Sequence, residues 1–206
     1  MKERDQKPAT RSAVSRREFL KGSGMAVAAT SIATHDSSAA EPGSGAKRVL
    51  PAAPVDMTLN VNGKDYQLKL EPRVTLLEAL RDDLHLTGCK HADDTTTTGT
   101  DTVIIDGKAI LASARLAVEC QGQKIQTVES LAQGDQVDDV VTGFVKHDGL
   151  QCGFCTPGFV MATRAFLNKH PNATEKEIRK GLGGNLCRCG TYHGIMNCAL
   201  EIARKG

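Results

Sequence analysis

From Val55 to Leu70 apolar and polar residues alternate with period two: Val55, Met57, Leu59 and Val61, then Tyr66, Leu68 and Leu70. Alternation of this kind sets one group of side chains on a single face of a strand, and the intervening Asn62-Gly63 pair suits a tight primed turn, so a β-hairpin is predicted. The period then changes. Thr75 and Glu78 form a capping box at the start of a helix reaching about Leu84, with Leu76, Leu77 and Leu80 on one face. One further short strand fits "TVIIDGKAI" and another "KIQTVES", so residues 55–130 are expected to form a small mixed sheet crossed by one helix.

Beyond residue 130 the pattern is helical. "QVDDVVTGFVKHDG" places Val137, Val140, Val141, Phe144 and Val145 at helical spacing. "PGFVMATRAFLNKHP" opens with Pro157 at a first-turn position and stops before Pro171. Thr174 and Glu177 make a second capping box, and "TYHGIMNCALEIARKG" completes a fourth helix. Residues 131–206 are expected to be a small helical domain with two cysteine-bearing turns, which makes the fold class α+β.

The first forty residues belong to neither part. Ser15-Arg16-Arg17-Glu18-Phe19-Leu20-Lys21 precedes a short, weakly apolar run near Met25 to Ala33 and the small residues Ser38-Ala39-Ala40. This is the pattern of a twin-arginine export signal, and its apolar run is far shorter than the roughly 18 to 20 residues a spanning helix needs. The mature chain is expected to begin near Glu41, to reside in a bacterial periplasm, and to carry a flexible lead-in over residues 41–54. With 26 basic and 24 acidic residues the net charge is +2, which gives no sign of a nucleic-acid or anionic-membrane partner. Aromatics are only 3% with no Trp, so aliphatic side chains must build the core.

The candidate chemistry lies in the cysteines, at positions 89, 120, 152, 155, 187, 189 and 198. Four fall in two glycine-containing turns of the helical part, "QCGFCTPG" and "GGNLCRCG", with 31 residues between the pairs. Glycine lets backbone approach a bound group closely, and clustered N–H donors stabilise charge on sulfur. An iron–sulfur cluster, a zinc ion and disulfides all compete for four such thiols. The Cys-x-Cys spacing fits zinc knuckles poorly, and a thiol–disulfide switch would need a βαβ context that is absent from the pattern. The six histidines are scattered and suggest no role.

"QCGFCTPGF" followed by "IRKGLGGNLCRCGTYHGI" closely resembles the C-terminal cluster domain of the iron–sulfur subunits of the xanthine oxidase family of molybdenum hydroxylases. With the export signal, the small subunits of periplasmic aldehyde oxidoreductases are the nearest likeness, over essentially all of residues 55–205. The resemblance implies an N-terminal β-grasp ferredoxin-like domain at 55–130 and a four-helix [2Fe-2S]-binding domain at 131–206. It implies cluster ligands at Cys152, Cys155, Cys187 and Cys189, with Cys189 lying against the pterin of a molybdenum cofactor and Gln151 touching it. It also implies two partners, a molybdenum-cofactor-binding large subunit and an FAD-binding medium subunit. The chain would then relay electrons from an aldehyde- or N-heterocycle-oxidising molybdenum centre, without catalytic residues of its own.

One stretch departs from the family. The ferredoxin-type motif runs Gly-Cys-Lys-x-Gly-x-Cys-Gly-x-Cys-Thr-Val, with a fourth cysteine further on. Here Gly88-Cys89-Lys90 and Thr102-Val103 match, but "HADDTTTTGTD" stands between them, about four residues longer than expected and without cysteine. The fourth position falls near Ser113. One thiolate cannot hold an ordinary cluster; His91, Asp93, Asp94 and Asp101 are potential replacement ligands, but the hard carboxylates suit other metals better, so the tract is expected to be a solvated loop. The expectation is a single cluster, with a degenerate structural or assembly subunit as the rival. Cys198 is expected to be a core residue.

Overall fold

The computed structural model describes residues 50–205, which fall within one compact unit. The export signal and most of the lead-in lie outside the described residues. The fold is α+β with a mixed five-stranded sheet.

Strand β1 (Val55–Val61) pairs antiparallel with β2 (Lys64–Leu70) in the register Val61↔Lys64 to Val55↔Leu70. Asn62 and Gly63 take φ of 54° and 80°, the conformation a primed turn demands. Met57, Leu59 and Val61 all face the core, as their alternation requires. The capping box at Thr75 is present in full, with the Glu78 N–H donating to Thr75 Oγ1 and the Glu78 carboxylate accepting from the Thr75 N–H. It starts a single turn, α1 (Leu76–Glu78), which widens into a π-helical turn at Ala79–Asp83. Leu76, Leu77 and Leu80 are buried on the sheet.

The segment "TVIIDGKAI" is not one strand but two, β3 (Thr102–Ile105) and β4 (Lys108–Leu111). Asp106 and Gly107, with φ of 48° and 75°, turn the chain between them. Strand β5 is confined to Lys124–Gln126, and the rest of "KIQTVES" enters a short 3₁₀ turn. It runs parallel to β1 and antiparallel to β3, which gives the order β2-β1-β5-β3-β4. Two residues of β6 (Ala132–Gln133) pair with β7 (Gln136–Val137), so Val137 leaves the predicted helix and stands exposed.

Four helices follow: α2 (Asp139–Lys146), α3 (Thr156–Leu167), α4 (Glu175–Gly181) and α5 (Tyr192–Ala203). Asp138 caps α2 through the Val140 N–H and pairs with Arg164 of α3. One apolar cluster is centred on the sheet and α1, and a second lies among the helices. A third, smaller one joins them, where Ile104 of β3 meets Met161 and Ala165 of α3. Cys198 is fully buried against α2, its thiol facing the Val140 carbonyl at 3.7 Å, as expected of a core cysteine.

Glu201 of α5 clasps the end of α2. Its carboxylate accepts from Lys146 Nζ at 2.7 Å and Lys205 Nζ at 2.7 Å and meets His147 Nε2 at 2.6 Å. Lys146 first, then Lys205 and His147, hold this carboxyl well below the usual carboxylate range. A depressed folded-state pKa contributes stability that is full above the ordinary carboxylate value, about 4.3, and is lost as pH falls through the folded value. Glu201→Gln should therefore lower the thermal midpoint at pH 7, with the gap to the parent closing as pH drops below about 4. Thermal unfolding across this range checks it.

Candidate metal centre

The two cysteine turns each feed a helix N-terminus. Cys155 directly precedes α3, which carries Pro157 in its first turn where no amide hydrogen is needed. Cys187 and Cys189 lie just before α5. Gly153 and Gly190 hold φ of 83° and 81°, a conformation that strains any residue with a Cβ, so each turn can fold tightly beside its sulfurs. Helix N-termini favour negative charge, and both pairs are placed to benefit.

The structure brings the turns together. Cys155 and Cys187 are buried in the same cluster, while Cys152 and Cys189 are exposed. All four are free thiols. Burial pushes the Cys155 thiol up to about 12, reinforced by the neighbouring Cys187 sulfur. At Cys187 burial acts in the same direction but is outweighed. The Thr191 hydroxyl, 3.2 Å from this sulfur, is the foremost influence that brings its pKa down to about 7, with the Thr191 and Cys189 backbone and the Cys155 thiol adding to it. Such a nest of donors is suited to a charged sulfur. Among the described residues, no three His, Cys, Asp or Glu side chains are gathered closely enough to enclose one metal ion.

Asn185 fixes the second turn. Its buried amide donates to the Gly99 carbonyl at 2.7 Å and to Thr102 Oγ1 at 3.2 Å, and the Leu186 N–H donates to the Thr98 carbonyl at 2.9 Å. The same loop, Gly99-Thr100, lies against Gly158 of α3 so closely that any Cβ there would collide with the Gly99 carbonyl oxygen. The Cys187 N–H donates to the Tyr192 hydroxyl at 2.8 Å, and the Tyr192 ring stands edge-on to Phe159 with centroids 6.0 Å apart. Sequence reasoning missed Asn185, Thr191 and Tyr192. The signal for Asn185 was a lone amide between two glycines and a cysteine turn. Close to the cysteines in sequence, Leu150, Phe154, Leu186 and Tyr192 are exposed, Phe154 and Leu186 about half so. Gln151, on the same turn, is exposed.

The second set of candidate positions is arranged differently. Cys89 is buried and its thiol donates to the Asp101 carbonyl at 3.2 Å. Burial first, then the carboxylates of Asp101 and Glu129, push this thiol well above its ordinary value, so it holds its proton. The Asp101 carboxylate accepts from both the N–H and the hydroxyl of Ser113. Three positions at which the family motif would carry cysteine are thus closed on one another by hydrogen bonds.

The tract between them is only partly a solvated loop. Asp93 gathers the N–H groups of Thr95, Thr97 and Thr98 and the hydroxyls of Thr95 and Thr98, which hold its carboxyl well below the usual range. His91, Asp93 and Asp94 are at the exposed or half-exposed end, but Thr100 and Asp101 are buried. The solvated-loop expectation fails there because Thr100 donates to the Lys90 carbonyl and lies against Gly158, while Asp101 is hydrogen-bonded to Cys89 and Ser113.

Residues 127–200 match the family described as the [2Fe-2S] binding domain, and residues 13–33 match the twin-arginine translocation signal sequence. The aldehyde oxidoreductase iron-sulfur-binding subunit PaoA of Escherichia coli is 37% identical over 92% of this chain and 88% of its own length. The nicotine 6-hydroxylase small subunit of Paenarthrobacter nicotinovorans is 36% identical over 73% of this chain and 91% of its own. Among solved structures, a chain of quinoline 2-oxidoreductase from Pseudomonas putida superposes with a TM-score of 0.69 at 36% identity, covering 74% of this chain and 98% of that one. The aldehyde oxidoreductase of Desulfovibrio gigas gives 0.69 at 28% identity, with 72% of this chain matching 17% of that larger one.

The chain therefore belongs to the iron–sulfur subunits of the molybdenum hydroxylases, a family of multi-subunit oxidoreductases. Within it, the likeness to an aldehyde oxidoreductase iron–sulfur subunit spans almost the whole chain. It is an electron-transfer component addressed to the periplasm by its twin-arginine signal. Among the described residues no helix is long and apolar enough to cross a membrane.

Loss of the Asp101 carboxylate should be costly: Asp101→Ala would leave the half-buried Ser113 donors without their acceptor, at about 1 kcal/mol. Asp94→Ala, at the exposed end, should change stability by less than about 0.5 kcal/mol. Denaturant unfolding of the two variants provides the comparison.

Proposed function

We propose that Cys152, Cys155, Cys187 and Cys189 hold one [2Fe-2S] cluster, and that through it the chain passes electrons from a molybdenum-cofactor subunit to an FAD-bearing subunit or another acceptor. The observation that carries this reading is the meeting of the two turns, which buries the neighbouring Cys155 and Cys187 side chains together and sets the Thr191 hydroxyl 3.2 Å from the Cys187 sulfur. Four free thiols in two pairs suit a two-iron cluster, which takes two thiolates at each iron, better than the closed ring a structural zinc requires. When bound, the cluster supplies reversible one-electron uptake. The Thr191 hydroxyl offsets charge on the Cys187 sulfur, and the exposed Leu150, Phe154, Leu186 and Tyr192 offer apolar surface for docking on the segments that carry Cys152 and Cys189. On that face Cys189 and Gln151 would contact the pterin of the molybdenum partner. A purely structural subunit has no need of donors converging on a sulfur.

By the same reading residues 55–130 form a β-grasp ferredoxin-like domain and 131–206 the cluster-binding helical domain. The separate apolar clusters on either side of residue 130 support this division. The first domain serves as scaffold, because Cys89, Asp101 and Ser113 satisfy one another instead of a cluster. Replacing Cys155 or Cys187 with Ser should abolish the visible iron–sulfur absorption, whereas Cys89→Ser should leave it unchanged. Bleaching by Cys89→Ser would overturn the assignment.

With one relay absent, electrons should leave slowly toward a flavin. In the complex co-purified with this chain, turnover with a flavin-linked acceptor is expected to be slow, and an artificial dye reaching the molybdenum centre or this cluster directly should restore it. Rapid flavin-linked turnover would contradict the broken relay.

A further inference from the structure

Thr191 stands at the N-cap of α5, where a threonine hydroxyl ordinarily accepts a hydrogen bond from an amide of the first turn. Thr75 and Thr174, at the N-caps of α1 and α4, both do this and complete capping boxes. Thr191 does not: its hydroxyl makes no capping bond. It lies instead 3.2 Å from the Cys187 sulfur, in a residue only 6% exposed. In the free thiol either atom can donate. Once Cys187 is a thiolate ligand its sulfur has no proton, so the hydroxyl must be the donor. The Cys187 N–H, by contrast, is taken up by the Tyr192 hydroxyl, so Thr191 and Tyr192 serve different atoms of the same cysteine.

We propose that Thr191 is a tuning residue for the cluster, its hydroxyl donating to the Cys187 sulfur and thereby raising the reduction potential. The proposal rests on the ligand assignment above. A hydrogen bond to a ligand sulfur stabilises whichever oxidation state carries more negative charge, and reduction adds one electron with no bond made or broken. The hydroxyl therefore favours the reduced state.

The test is a redox titration of the full chain, followed by visible absorption and electron paramagnetic resonance, with iron counted in each sample. Thr191→Val keeps the shape and removes the donor, so its midpoint should move to more negative potential with iron content unchanged. Thr191→Ser should return the midpoint toward that of the parent. Thr191→Ala supplies the same comparison if the valine variant does not retain iron. An unchanged midpoint in an iron-loaded valine or alanine variant would overturn the proposal, as would failure of serine to restore it. Loss of iron from both apolar variants with retention in Thr191→Ser would make the hydroxyl a requirement for assembly, and would also overturn it. Absence of iron from the parent, or its retention in Cys187→Ser, would instead refute the ligand assignment itself.

Discussion

The buried amide of Asn185 is the contact on which the rest of the site depends. By donating to the Gly99 carbonyl and to Thr102 Oγ1 it binds the Cys187 turn to the start of β3. The loop it holds is also pressed against Gly158, one turn into the helix that begins beside Cys155. Two cysteine turns separated by a helical hairpin are thus referenced to the same piece of backbone. Their relative position is fixed by polar contacts to carbonyls, which have one geometry, more than by apolar packing, which tolerates several.

That arrangement ties the N-terminal part to both cysteine turns. Gly99 and Thr100 lie in the tract that replaces the ferredoxin-type motif. Closure of Cys89, Asp101 and Ser113 on one another keeps the tract in place. An open, unsatisfied pocket there would carry the cost of several buried polar groups and leave the Asn185 turn without its acceptor.

Much of this was legible from residue patterns, because the deciding interactions were local. The hairpin at Asn62-Gly63, the capping boxes at Thr75 and Thr174, and the burial of Cys198 followed from period and spacing. Asp106-Gly107 carried an equally plain turn signal that was read through as continuous strand. Val137 matched the helical period by chance, since the cap that starts α2 is Asp138. The burial of Thr100 and Asp101 could not be read from composition, because it comes with contacts to other segments, Gly158 against Thr100 and Ser113 on the Asp101 carboxylate. The same holds for Thr191, whose departure from ordinary capping shows only once the Cys187 sulfur is placed beside it.

The central claim is that one cluster, held by the helical part alone, does the electron transfer of this chain. Spin quantitation after full reduction, on protein purified after export and analysed for iron and acid-labile sulfide, addresses it directly. The expected result is two irons, two sulfides and a single paramagnetic centre per chain. Four irons with two distinct signals would contradict it, and would mean that the segment around Cys89 binds a cluster despite the bonds that close it.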